Sequence, residues 1–262
     1  MAANPTFAAA NLDMCFQITA NKISFQARKM LQIPFLRARP LTVSVASSAS
    51  NPQMHPKSYV KVCGVTNVED ALLAASSGAN LIGMILWPKA KRSIHPVTAK
   101  EIAKVAREHG ASPVAVFVDE DADTICKVCE DSDVDIAQLH GDGARSALTD
   151  LPSSLRTVYV MHADKAGIVQ TVLPQIPVDW VLVDSLQGGS GERFDWSSLN
   201  PPLGRNGWLL AGGLTPENVA EAIATAHPTG VDVSSGVCGL DGLKKDVGKV
   251  QQYVAEAKGA FH

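Results

Sequence analysis

Cys63 stands in YVKVCGVT, where a short β-branched run stops and a glycine begins. Far along the chain, Asp184 stands at the matching place in WVLVDS. Each occupies the C-terminal tip of a predicted strand. A thiol and a carboxyl that face each other across the mouth of a barrel suit a reaction that moves protons. The other strand tips are also polar or glycine-bearing: Asp119, His140-Gly141, Gly212-Gly213 and Ser234-Ser235-Gly236. The last two groups follow the seventh and eighth runs. Loops at those places commonly cradle phosphate, because glycine lets backbone N–H groups approach an anion closely. A Gly-Gly pair alone is a weak signal; the two groups together, each at its expected strand end, are a stronger one.

Eight runs carry these tips: YVKV, NLIGMIL, PVAVFV, DIAQLH, TVYVM, WVLVD, WLLAG and VDVSS, beginning at 59, 80, 113, 135, 157, 180, 208 and 231. Helical periodicity separates several of them. Val68, Ala71, Leu72 and Ala75 follow one stripe, with Asn67 as cap and Gly78 as stop; Val219, Ala222, Ile223 and Ala226 repeat it, opened by Thr215 and Pro216. The segments after the fourth and sixth runs are less regular. Strands apolar on both faces and joined by helices form a parallel sheet. Eight such units predict an α/β fold, a (β/α)8 TIM barrel in a single domain, with its chemistry at the C-terminal strand ends. An open doubly wound sheet lacks support, since no GxGxxG follows the first run.

The 262 residues are 46% hydrophobic and 19% charged, with a formal net charge of −3, which describes a globular chain with ample core. Nothing in that balance attracts nucleic acid, and no apolar run approaches the roughly 20 residues needed to span a bilayer. The first 56 residues differ, with five Lys or Arg (Lys22, Arg28, Lys29, Arg37, Arg39) against one acid, Asp13. Basic, hydroxylated and acid-poor, residues 1–57 are expected to be a disordered N-terminal leader and linker, a plastid transit peptide, with a plain disordered tail as the alternative. Residues 58–262 are then the catalytic barrel. Of five cysteines (Cys15, Cys63, Cys126, Cys129, Cys238), the Cys126/Cys129 pair suggests zinc or redox chemistry. It lacks a second such pair, and Ile125, Val128, Cys129 and Ser132 share one helical stripe, so a structural role is expected and no metal.

The motifs KVCGVTNVEDA, GMILWPKAKRSI, AQLHG, LVDSLQGGSGERFDW, LLAGGLTPENV and GVDVSSGV, in this order, resemble those of phosphoribosylanthranilate isomerase, a barrel enzyme of tryptophan biosynthesis. The resemblance spans nearly all of the chain after the leader. It implies an Amadori rearrangement of N-(5-phosphoribosyl)anthranilate to the 1-deoxyribulose 5-phosphate, without cofactor or metal. It places the general base on Cys63, the general acid on Asp184 and a carboxylate-binding arginine on Arg92. The expected partner is a small phosphorylated molecule, and the expected form a monomer or homodimer in the chloroplast stroma. Phosphate is expected on backbone N–H groups around Gly213, Ser235 and Gly236, with Gly212 permitting the close approach. Gln138 and Asp232 are expected either to point into the barrel near the sugar or to make structural hydrogen bonds. GGSG at 188–191 is expected to be a mobile loop.

A thiol with a pKa near 8.5 serves as a base only if some thiolate forms, and Lys61, two residues before Cys63, projects to the same side. An ordinary Asp near 3.9 is a poor proton reservoir, so burial is expected to raise Asp184. His140 faces the same side as Gln138 and receives no chemical role. Two departures from the family pattern are Cys238, where an acidic residue is usual, and Glu192-Arg193 in the loop after the sixth run. Two rival readings are an indole-glycerol-phosphate synthase and a barrel retired to ligand binding. The first asks for Lys and Glu at the mouth, where Cys63 and Asp184 stand; the joint presence of Cys63, Asp184, Arg92 and the glycines argues against the second.

Overall fold

The computed structural model describes residues 58–186 and 193–262. The expected leader and the GGSG loop lie outside them. Eight parallel strands close a barrel in chain order: β1 (Tyr59–Val62), β2 (Leu81–Ile85), β3 (Ser112–Phe117), β4 (Ile136–Leu139), β5 (Arg156–Ala163), β6 (Trp180–Ser185), β7 (Trp208–Leu210) and β8 (Gly230–Val233), which pairs back onto β1. Each coincides with one of the eight runs to within a residue or two at its ends.

Alternation along each strand sorts side chains between two cores. Leu81, Val114, Ile136, Val158, Val160, Trp180, Leu182 and Leu209 fill the barrel interior, with Tyr59 packed against them. The Tyr59 and Trp180 rings meet edge to face at 5.6 Å. A second apolar layer, including Val60, Val62, Ile82, Met84, Val181 and Val183, meets the surrounding helices. Two steps towards the C-terminal end, the inward positions turn polar: Lys61 follows Tyr59, Gln138 follows Ile136, Asp184 follows Leu182 and Asp232 follows Gly230. An apolar floor thus supports a polar mouth.

The helices are α1 (Val68–Ser77), α2 (Pro96–Glu108), α3 (Ala122–Asp131), a short α4 (Asp142–Ser146) extended by a 3-10 turn, α5 (Val219–Ala226) and α6 (Val247–Ala260). Asn67 caps α1 by accepting the Asp70 N–H at 2.8 Å, and its amide donates to the Asp70 carboxylate at 2.9 Å. Ala71, Ala74 and Ala75 form the buried stripe of α1, whereas Leu72 is 41% exposed; the small residues, not the leucine, let the helix lie close on the barrel. The expected opening of α5 at Thr215 and Pro216 is not what forms. Pro216–Asn218 make a turn, and the helix begins at Val219. The Asn218 side chain bonds the loop instead, accepting the Thr215 N–H and donating to the Gly213 carbonyl, both at 2.8 Å. No helix follows β5 or β6 among the described residues, so the expected alternation is incomplete there. Ile125 and Cys129 of α3 and the Ser132 that caps its end are buried along one side, whereas Val128 and Cys126 are half-buried.

Candidate active site

One cavity of about 280 Å3 lies at the C-terminal mouth. Cys63, Asp184, Arg92, Gln138 and Asp232 all line it, with His140, Ser234 and Trp87. The sulfur and the carboxyl, remote in sequence, therefore open onto a common space. A wider groove of about 630 Å3 opens beside β5, where no helix follows; its lining, from Asp142 and Arg145 to Val172 and Ile176, contains no thiol.

The wall built from β8, β1 and β2 is dense with charge. Lys61 is fully buried and donates to Asp232 Oδ2 at 3.0 Å. The other Asp232 oxygen, Oδ1, is buried without a hydrogen-bond partner, as is Gln138 Oε1 across the cavity. Asp232 therefore makes the structural pair and also lines the pocket. Burial works against charge on Lys61, but Asp232 and then Cys63 outweigh it and hold the ammonium above its ordinary value. For Asp232 burial is the largest influence and pushes the carboxyl up against the pull of Lys61.

Burial likewise pushes the Cys63 thiol up, while Lys61 opposes it, Asp232 reinforces it and Lys245 opposes it weakly. The expectation that Lys61 aids the thiolate has the right sign, yet desolvation wins. Cys63 fits because β2 has no side chain opposite: a Cβ on Gly83 would stand 2.6 Å from its sulfur. Arg92 donates from Nη2 to Ser234 Oγ at 3.1 Å and from Nη1 to the Gly242 carbonyl at 3.1 Å; its Nε is buried without a partner.

On the opposite wall, Asp184 stands one residue before the end of β6 with its carboxyl buried and accepting the Ser185 N–H at 2.8 Å. Gly212 leaves it room, since a Cβ there would lie 3.1 Å from Asp184 Oδ1 and 2.8 Å from the Phe194 ring. His140 and His162 pack edge to face at 5.3 Å. Burial, aided by neighbouring positive charge, lowers both to about 4, so at neutral pH they are uncharged.

Gly212, Gly213, Ser235 and Gly236 lie outside the cavity lining, on the adjoining loops after β7 and β8. Gly212 and Gly213 have φ of 84° and 65°, and their N–H groups donate to no acceptor among the described residues. The two loops meet backbone to backbone, for a Cβ on Gly236 would collide with the Leu214 carbonyl at 2.0 Å. Asp119 serves the rim by accepting from Trp87 Nε1 and Lys89 Nζ. Sequence reasoning missed Gly83, Lys245, Trp87 and His162. Register to Cys63 could have found Gly83, and period-two alternation from Val158 could have found His162; no local signal marks Lys245. Among the described residues no cluster of three or more His, Cys, Asp or Glu could hold a metal, and no helix is long and apolar enough to cross a membrane.

Residues 60–256 match the family model of N-(5'-phosphoribosyl)anthranilate isomerase. The chain belongs to the phosphoribosylanthranilate isomerase family. An Arabidopsis thaliana relative, the chloroplastic N-(5'-phosphoribosyl)anthranilate isomerase 1, is 41% identical over 241 residues, covering 88% of each chain. The isomerase of Thermotoga maritima superposes with a TM-score of 0.65 at 32% identity, over 77% of this chain and 99% of its own. Another solved family member, 30% identical over 77% of this chain and 99% of its own with a TM-score of 0.60, holds reduced 1-(o-carboxyphenylamino)-1-deoxyribulose 5-phosphate. The protein is a plastid-type member of the family, an isomerase of tryptophan biosynthesis located in the chloroplast.

Proposed function

We propose that Cys63 is the general base and Asp184 the general acid in the rearrangement of N-(5-phosphoribosyl)anthranilate to 1-(2-carboxyphenylamino)-1-deoxyribulose 5-phosphate. The observation that carries this reading is that a thiol from β1 and a carboxyl from β6 line one cavity, with Arg92 beside them.

Asp184, protonated, gives its proton to the furanose oxygen as the C1′–O bond breaks, and the nitrogen lone pair forms the Schiff base. The Cys63 thiolate then takes the C2′ proton, and the electron pair of that bond neutralises the iminium to leave an enolamine. Tautomerisation delivers the ketone. Each group positioned in this way contributes roughly 10²–10⁴-fold. The buried position of Cys63 makes its thiolate scarce but strongly basic.

Arg92 takes the anthranilate carboxylate through its planar fork, and the orphaned Nε supports a further acceptor on that side. The phosphate rests on the N–H groups of Gly213, Ser235 and Gly236, with Gly212 allowing the approach. Gln138 Oε1 and Asp232 Oδ1, both buried and unpartnered, supply acceptors for sugar hydroxyls. Residues 1–57 are the transit peptide and linker and 58–262 the catalytic domain. The assembly is a monomer or a homodimer; a Thermotoga maritima relative is described as dimeric.

The test is complementation of a tryptophan auxotroph blocked at this step, using the chain from Lys57 onward. Growth with the wild type and none with Cys63→Ala or Asp184→Asn is the expected result. Growth with either variant removes that residue from its role.

A further inference from the structure

Lys245 lies in the loop between β8 and α6, eight residues past the last motif that marked the site, and it is buried. Its Nζ donates to the Cys63 carbonyl at 2.7 Å and to the Ser234 carbonyl at 3.0 Å, and stands 3.5 Å from Cys238 Sγ. Its backbone N–H donates to the Asp70 carboxylate at 3.0 Å, the same group that closes the cap of α1. Ser234 Oγ donates to the Cys63 carbonyl at 3.1 Å while accepting from Arg92. One ammonium thus joins the tips of β1 and β8, and through Ser234 it reaches the arginine at the cavity.

The geometry points to Lys245 as a positioning residue for the isomerisation, a buried cation that holds the Cys63 backbone and the Ser234–Arg92 arm in one fixed relation. The inference rests on the reading of Cys63 as base. It goes beyond a packing role for two reasons. A hydrophobic filler would strip the shorter donor from both carbonyls, leaving Ser234 Oγ at 3.1 Å on Cys63 and the weak Cys238 S–H at 3.4 Å on Ser234. Its positive charge is also not spent on a carboxylate: burial disfavours it, and the groups that most favour it are the thiols of Cys238 and Cys63, against the nearby Arg92. The charged and titratable groups facing Cys63 are Lys61 on its own strand, Asp232 on β8 and Lys245 on the loop.

The test is the pH dependence of kcat/KM for the full chain with Lys245→Met, Lys245→Gln and Lys245→Arg, read beside the rate of Cys63 alkylation against pH. Lys245→Met is expected to lower kcat/KM at pH 7 about tenfold or more and to move the acidic limb and the alkylation midpoint upward by less than about one pH unit. Lys245→Arg is expected to restore the wild-type limb. Lys245→Gln keeps a donor but not the charge, so it carries the test if Lys245→Met does not fold. An unchanged limb and midpoint in whichever neutral variant folds overturns the proposal, because a merely structural residue would alter stability alone. Cys63→Ala separates the two claims. Turnover by it removes the base and the clamp together, whereas an inactive Cys63→Ala beside a wild-type profile in Lys245→Met removes only the clamp.

Discussion

The two walls of the mouth are made differently. On the β8–β1–β2 side, the buried Lys61–Asp232 pair stands beside a second group of short polar contacts among Cys63, Ser234, Arg92 and Lys245, backed by capped α1 and by α6. On the β4–β6 side, the neutral pair His140 and His162 stands beside Gln138 and Asp184, and no helix follows β5 or β6 among the described residues. A base that must become an anion inside a dry pocket needs fixed positive charge around it. In the proposed reaction the acid must keep its proton until the substrate arrives, which nearby negative charge favours, and Asp184 and Asp232 act on each other electrostatically. The asymmetry fits the proposed division of labour.

The largest expected effect would break the comparison if it fell on one wall only. Cys63→Ala and Asp184→Asn should each lower kcat by about two decades or more with KM little changed, in steady-state kinetics at neutral pH. Near-normal turnover in either variant would mean that its wall holds no reacting group.

Stability should follow the charge. Lys61→Met leaves Asp232 buried without its cation and is expected to cost about 3–5 kcal/mol in denaturant unfolding, with most of it recovered when Asp232→Leu is added. Equal losses from Gln138→Leu would show that the two walls are held alike.

Space sharpens the contrast further. Gly83→Ala places a methyl 2.6 Å from the Cys63 sulfur, and Gly212→Ala places one 3.1 Å from Asp184 Oδ1 at a φ of 84°. Each should lower kcat by about tenfold by displacing its own reacting group. Only Gly83→Ala should also alter the alkylation profile of Cys63.

The smallest effect is a pH slope. His140 and His162 sit at about 4 in the fold against an ordinary 6.5, so the unfolded chain binds more protons between those values. Folding stability should therefore fall as pH drops through that window, and His140→Gln with His162→Gln should flatten the slope. An unchanged slope would mean that the pair is charged in the fold.

What the sequence determined by itself was the set of strands and the residues at their tips. Period-two alternation and helix caps are local patterns, written in neighbouring residues such as Val60-Lys61-Val62-Cys63 and Asn67-Val68. Where a short-range choice depended on a partner, the reading slipped: Thr215 lost its cap role because the Asn218 amide bonds the loop, and Leu72 stayed exposed because alanines seat α1. Only the tertiary structure decided which tips share a cavity, that Gly83 makes room for a sulfur on the next strand, and that Lys245 reaches back to the Cys63 carbonyl. Those are contacts between segments remote in the chain, fixed by barrel closure and register rather than by any residue's neighbours.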